Sequence, residues 1–356
     1  MLKSYPIIGL MSGTSMDGVD LAFATYEKTE KGQWNYTLNN TKTFPYPPIL
    51  LDDLKKSIEF NSCELLILDK KLGAFFSDII IQFMDEYSIK RESVSSIASH
   101  GHTIFHNPTE GYTYQIGCGD SIAYRTGIKV INDFRQKDVI AGGQGAPLVP
   151  IGDKLLFSNL ADAFLNIGGI CNICIPGSKT IAFDICPGNL PLNKVIQRIG
   201  YEYDKNGEHA RKGNIDYSIL EKLAQLKYYQ TPPPKSLGEE WLAEYFYPIL
   251  NSTTNELNQL RTLIDHISTE ISNCLNSSKV KSVLISGGGA KNTFLVEQIQ
   301  SKFKGEVIVP DPQLIDFKEA IIFGFLGALF LANETNALAS VTGAERDTIG
   351  GVLHFP

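Results

Sequence analysis

The chain has 356 residues, 43% hydrophobic and 20% charged, with 31 glycines and 17 prolines. That is about twice the length of an ordinary domain, so two domains or one large one are expected, and the balance excludes disordered, collagenous and coiled-coil classes. Thirty-nine Asp and Glu against 32 Lys and Arg give a net charge of −7. With no basic block to neutralise phosphates, nucleic acid is not an expected partner, and an anionic ligand must be held by local donors.

The opening segment has a short apolar run followed at once by an acidic, Gly-rich stretch, which is not the pattern of a signal peptide. The longest apolar run, Ala320 to Ala332, is broken by Gly324 and Gly327 and falls short of the roughly 18 residues of a membrane span. A cytoplasmic protein with no membrane partner is expected, its six cysteines reduced.

In chain order, strands are predicted over Tyr5–Met11, Val19–Tyr26 and Trp34–Phe44, then helices near Pro48–Phe60 and Glu64–Tyr87. The second helix sets Leu65, Leu68, Leu72, Phe75, Phe76, Ile79 and Phe83 on one face at spacings of three and four. Short strands follow at Val94–Ser99, Thr113–Ile116 and Lys129–Ile131, and residues 136–150 turn into a Gly-rich loop. A second series opens with strand, Gly turn, strand (Ala163–Ile167, Ile170–Ile175), then a strand over Lys179–Phe183. A helix over about Thr254–Leu275, a strand over Val280–Ser286, a helix from about Thr293 and an apolar helix over about Phe317–Asn333 come next, and the tail reads as coil. Both halves begin alike, which points to two related α/β domains, residues 1–138 with 334–356 and residues 139–333.

Walker A, HExxH and GxSxG motifs are all absent. Instead, Gly9 to Asp20 runs from an apolar strand through Ser12, Gly13, Thr14, Ser15 and Met16 to Asp17, Gly18, Val19 and Asp20. Small residues free backbone N–H groups for an anion, the hydroxyls add donors, and Asp17 and Asp20 could hold Mg²⁺ through water. A plain Asp-Gly hairpin is the other reading. Gly287-Gly288-Gly289 and Gly168-Gly169 are further Gly turns after strands, and the three together could clasp a triphosphate.

Asp184 is expected at a strand end, either as a proton acceptor facing a site or as a cap of the helix near Leu190. His100 and His102 are expected on one strand face, as a metal pair or, with His106, as hydrogen-bonded side chains lining a site. Cys171 and Cys174 read as buried thiols rather than a redox pair. Arg135 suits an anionic group or an ion pair. Pro232-Pro233-Pro234-Lys235 reads as a rigid loop leading to a Ser236-x-x-Glu239 capping box.

Taken together, these segments resemble the anhydro-N-acetylmuramic acid kinases. Ten ordered blocks carry the likeness, among them residues 9–20, Ser99-His100-Gly101, Asp133-Phe134-Arg135, residues 141–150, 166–170 and 183–189, Pro232 to Ser236, residues 286–292 and 340–344. The resemblance implies the sugar kinase, Hsp70 and actin fold, two α/β domains with a nucleotide cleft. It implies ATP and Mg²⁺ as cofactors and a 1,6-anhydro amino sugar as the small-molecule partner, opened by water and phosphorylated at O6 in cell-wall sugar recycling, with a homodimer open. It carries a base onto Asp184, phosphate binding onto residues 13–20, and substrate contacts onto Ser12, His100, Arg135 and Asn189. Ile185-Cys186, Asn193, His102 and Cys118 depart from the usual family pattern. A kinase of a related anhydro sugar and a non-catalytic ATP-binding module are the alternatives.

Overall fold

A computed structural model of the chain describes residues 3–13, 16–251 and 255–356. In these residues the strands are β1 (Lys3–Ser12), β2 (Val19–Lys28), β3 (Trp34–Phe44), β4 (Ser96–Ser99), β5 (His102–Asn107), β6 (Tyr112–Ile116), β7 (Val130–Asn132), β8 (Ala163–Ile167), β9 (Ile170–Ile175), β10 (Ile181–Pro187), β11 (Ser282–Ser286), β12 (Glu306–Ile308) and β13 (Val352–His354). The chain divides into two compact units, Met1–Leu156 with Phe317–Pro356, and Phe157–Asp316. The first unit takes in residues 139–156 and 317–333 beyond the stretches expected for it.

The first unit holds a six-stranded sheet ordered β13-β7-β4-β1-β2-β3. β1, β2 and β3 form an antiparallel meander, while β4 runs parallel to β1 and β7 parallel to β4. Ile7, Ile8 and Leu10 are fully buried, as a central strand covered on both faces requires. One cover is the helix Ser62–Glu86, which starts at a capping box between Asn61 and Glu64. Its Leu68, Leu72, Phe76, Ile79 and Phe83 join Ile8, Leu10, Leu21 and Ile97 in one core.

The other cover is the helix Pro312–Leu331. Tyr26 donates to the Ile321 carbonyl at 2.5 Å. A Cβ on Gly9 would run into the Ala320 carbonyl, and one on Gly327 would come within 2.8 Å of Ala98 Cβ. The glycines that break the apolar run in sequence are therefore points of close approach between helix and sheet. The tail is not coil: Val352–His354 pairs antiparallel with β7 and closes its open edge, and Ala339–Thr342 is helical. The helix Gly119–Thr126 was also not foreseen. Cys118 caps it, its sulfur accepting from the Ser121 amide, with Lys70 Nζ 2.9 Å from the same sulfur.

The second unit holds a five-stranded sheet ordered β10-β9-β8-β11-β12. β8, β9 and β10 form an antiparallel meander, β11 runs parallel to β8, and β12 parallel to β11. Counted from the start of each unit, the main-sheet strands lie in the order 3-2-1-4-5 in both, with β13 added in the first. The echo in the sequence is thus one topology built twice. The helix Glu256–Ser277, capped by Asn255, buries Leu260, Leu263, Ile264, Ile267 and Ile271 against β8 to β11.

Candidate active site

Asp184 lies within β10, not at its end. The strand runs on to Pro187 through a bulge between Asp184 and Cys186. It does not cap the next helix, Asn189–Gln197, whose cap is Gly188 with no side-chain bond. Its contacts come from a distant segment. Asp184 Oδ2 accepts the Leu237 amide at 2.8 Å, its own amide donates to the Lys235 carbonyl at 3.2 Å, and its carbonyl accepts the Tyr228 hydroxyl at 2.6 Å. Burial pushes the Asp184 carboxyl above the usual carboxylate range, against the opposing pull of the Leu237 N–H. A half-buried carboxylate with a raised pKa is suited to take a proton near neutral pH.

The same contacts overturn the capping-box reading. The helix Glu239–Trp241 is capped by Gly238 without a side-chain bond, so it starts two residues later than a Ser236 cap would require, while the Leu237 amide goes to Asp184. Cys171 and Cys174 on β9 and Cys186 on β10 are buried free thiols.

Two of the three Gly turns meet in this unit. The Gly168 carbonyl accepts the Asn189 amide, and the Gly169 carbonyl accepts those of Gly188 and Leu190, so the β8–β9 turn staples the start of helix Asn189–Gln197. Asn189 Nδ2 reaches the Ile167 carbonyl at 3.3 Å. Gly287 has φ +80°, and a Cβ on Gly289 would strike Ile167. Gly288 differs: the nearest atom to a Cβ there is Asn189 Nδ2 at 3.7 Å.

In the first unit, Ser12 closes β1. Its Oγ lies 2.5 Å from the Tyr46 hydroxyl and 3.0 Å from His102 Nδ1. Gly101, at φ +73°, separates His100 from His102, so the two do not share a strand face as expected. His100 Nδ1 faces the carbonyls of Gly101 (2.9 Å) and Ser12 (3.3 Å) and must donate, which leaves Nε2 to accept from Arg135 Nε and Nη2 at 3.1 and 2.9 Å. Burial first, and Arg135 second, push the imidazole down to about 3, so His100 is neutral. Arg135 Nη1 donates to the Gly145 carbonyl at 2.8 Å, and burial lowers its pKa to about 10. His106 bonds Thr113. Among the described residues no group of three or more His, Cys, Asp and Glu is placed to hold a metal ion by itself.

Gly13 accepts the Met16 amide through its carbonyl, and Met16 sits at φ +57°. Thr14 and Ser15 lie outside the described residues. The Val19 side chain belongs to the core, and Gly18 packs on Thr43. Asp17 is exposed, and Asp20 Oδ1 accepts from Thr43 Oγ1 at 2.5 Å. Both carboxylates raise the pKa of Tyr46, which burial has already pushed up, to about 12. Two carboxylates and neighbouring hydroxyls are an oxygen-only donor set, which fits Mg²⁺ held with waters and phosphate oxygens rather than a closed cage.

Tyr46, Tyr228 and Glu319 were missed in the sequence. Glu319 reaches solvent but is crowded by protein, which raises its pKa, while Arg135 and Lys318 pull it down. Lys318 pairs with buried Asp153 at 2.7 Å. The available signal was Lys318-Glu319 directly before the apolar run of the helix.

Two α/β units of the same 3-2-1-4-5 topology define the sugar kinase, Hsp70 and actin class. The family model of anhydro-N-acetylmuramic acid kinase matches residues 5–356. The anhydro-N-acetylmuramic acid kinase of Sulfurovum sp. (strain NBC37-1) is 36% identical over 97% of this chain and 98% of its own. That of Haemophilus influenzae (strain ATCC 51907 / DSM 11121 / KW20 / Rd) is 34% identical over 100% and 99%. Among solved structures, the activator of the 2-hydroxyisocaproyl-CoA dehydratase from Clostridium difficile with bound ADPNP is similar at a TM-score of 0.44 and 12% identity, covering 92% of this chain and 97% of that one. The chain belongs to the anhydro-N-acetylmuramic acid kinase family.

Proposed function

We propose that the protein is an ATP-dependent kinase that opens 1,6-anhydro-N-acetylmuramic acid with water and phosphorylates O6, giving N-acetylmuramic acid 6-phosphate and ADP. Family membership supports the reaction, and the setting of Asp184 carries the mechanism. A strand bulge with a half-buried carboxylate, one oxygen fixed by the Leu237 amide, is a pre-oriented general base.

In this reading Asp184 takes a proton from water as the water oxygen bonds to the anomeric carbon. The bond from that carbon to O6 breaks, and O6 accepts the γ-phosphoryl group as ADP leaves. Phosphoryl transfer depends mainly on positioning and charge stabilisation, which is the task of the other candidates. Within the first unit, Gly13, Met16, Gly18 and Val19 are the phosphate candidates and Ser12 and His100 the substrate candidates; within the second, Gly168, Gly169 and Gly287 to Gly289 are the phosphate candidates and Asn189 the substrate candidate. Three N–H groups of Arg135 are held by His100 and Gly145, and the rest are offered to an anionic group of sugar or phosphate. Asp17 and Asp20 would hold Mg²⁺, which neutralises phosphate charge when bound.

No helix among the described residues is long and apolar enough to cross a membrane. The reading sets the enzyme in the cytoplasm, with a homodimer as the assembly to test by sedimentation. Its test is ADP release with no sugar, with the anhydro amino sugar, and with an anhydrohexose lacking the lactyl and acetamido groups. Release that requires the amino sugar is expected. Sugar-independent release, or equal rates with both sugars, would overturn it.

A further inference from the structure

The Pro-rich segment that the sequence singled out has so far no role in the reaction. Its ends close a ring around Asp184. Tyr228 Oη donates to the Asp184 carbonyl at 2.6 Å, Asp184 N donates to the Lys235 carbonyl at 3.2 Å, and Leu237 N donates to Asp184 Oδ2 at 2.8 Å. Lys235 Nζ then donates to the Tyr228 carbonyl at 3.0 Å, tying the two ends together, and lies 4.4 Å from the centre of the Tyr228 ring. The Tyr228 ring is itself packed 5.3 Å from that of Trp241. Every polar group of the Asp184 main chain, and one of its carboxylate oxygens, is thus bound by residues 228–237.

The ring matters because Asp184 sits where β10 departs from regular pairing with β9. At a bulge the ladder does not fix the peptide planes, and a side chain is re-aimed by whatever else holds them. Tyr228 supplies that hold from the carbonyl side.

Resting on the reading of Asp184 as the base, we propose that Tyr228 is a positioning residue for the reaction, with Lys235 bracing it: its hydroxyl fixes the Asp184 peptide so that Oδ2 stays on the Leu237 amide and Oδ1 is aimed at the attacking water. Neither residue need touch the sugar or ATP. The ionisable groups facing this ring are Cys186 on β10, Tyr229 beside Tyr228, Lys235, and Glu270 and Cys274 on helix Glu256–Ser277, which face Lys235.

The consequence is specific. Without the Tyr228 hydroxyl the Asp184 peptide turns and the Leu237 bond weakens. That bond favours the charged carboxylate, so its loss raises the carboxyl pKa. The experiment compares wild type, Tyr228→Phe, Lys235→Met and Asp184→Asn for kcat, KM and the pH dependence of kcat/KM. Tyr228→Phe is expected to lower kcat about 10-fold or more, since small misplacements of a reacting group are costly, with KM for both substrates little changed. The acid limb of the profile is expected to move to higher pH. Lys235→Met is expected to shift it the same way by less, and carries the test if Tyr228→Phe does not fold. An unmoved acid limb in the folded variants overturns the proposal. Substantial activity in Asp184→Asn would instead overturn the reading of the base, so the two failures are separable.

Discussion

At the scale of single residues, Gly288 separates a packing glycine from a ligand glycine. Gly289 is glycine because Ile167 fills the space beside it, and Gly287 because its φ is +80°. Gly288 has neither constraint, so the fold would accept alanine there. Gly288→Ala is expected to leave Tm unchanged and weaken ATP binding about 10-fold if phosphate approaches that backbone, the loss of roughly one hydrogen bond to a charged group. Gly289→Ala is expected to lower Tm. Isothermal titration and thermal melts check both, and unchanged ATP affinity in Gly288→Ala would remove this turn from the phosphate site. The sequence displayed the Gly turns and Asp184 because their residue types are themselves the signal. It did not display Tyr228, Tyr46 or the Leu237 amide, since their bonds join positions 44, 34 and 53 residues apart. Nothing local marks such a tyrosine or amide.

At the scale of elements, the loop over residues 141–149 is irregular but pinned. Asp138 is fully buried on the short helix Gln136–Ile140, and its two oxygens accept the Gly145 amide and the Thr342 hydroxyl, each at 2.8 Å. The Gly145 carbonyl in turn accepts from Arg135. Asp138→Ala leaves the buried Gly145 amide without an acceptor, while the Thr342 hydroxyl keeps the Leu338 carbonyl, and is expected to cost about 1–3 kcal/mol. Chemical unfolding measures that loss, and a cost near zero would show that the loop is held in another way. Strong hydrophobic periods made the long elements legible in the sequence, as with the strand Trp34–Phe44 and the helix Ser62–Glu86, whose Asn61 cap was not read. The tail strand Val352–His354 and the helix Gly119–Thr126 were not legible. One forms only because β7 offers an edge, and the other starts on a cysteine, an uncommon cap.

At the scale of the whole molecule, each unit buries a neutral histidine, His100 in the first and His266 in the second, both pushed down to about 3 by burial. Their unfolded pKa is about 6.5. As pH falls from about 6.5 towards 3, the unfolded chain binds protons that the folded chain does not, so stability is lost, by up to about 1.4 kcal/mol per pH unit for each histidine. Asp133, Asp184, Glu270 and Glu319, with raised pKa values, act with the opposite sign. The wild-type slope therefore mixes the two, and the difference between wild type and His266→Gln isolates one histidine. Urea unfolding at pH 7.5 and 5.5 is expected to show a shallower loss in His266→Gln, and equal losses would mean His266 titrates alike in both states. The central claim, that one enzyme couples water attack to phosphoryl transfer through Asp184, is tested most directly by running the reaction in ¹⁸O-labelled water and quenching early. One ¹⁸O is expected on the anomeric hydroxyl of the product and none in its phosphate, with Asp184→Asn giving no product while it still binds ATP. Label in the phosphate, release of labelled inorganic phosphate in step with ADP, or near-normal turnover by Asp184→Asn would contradict it.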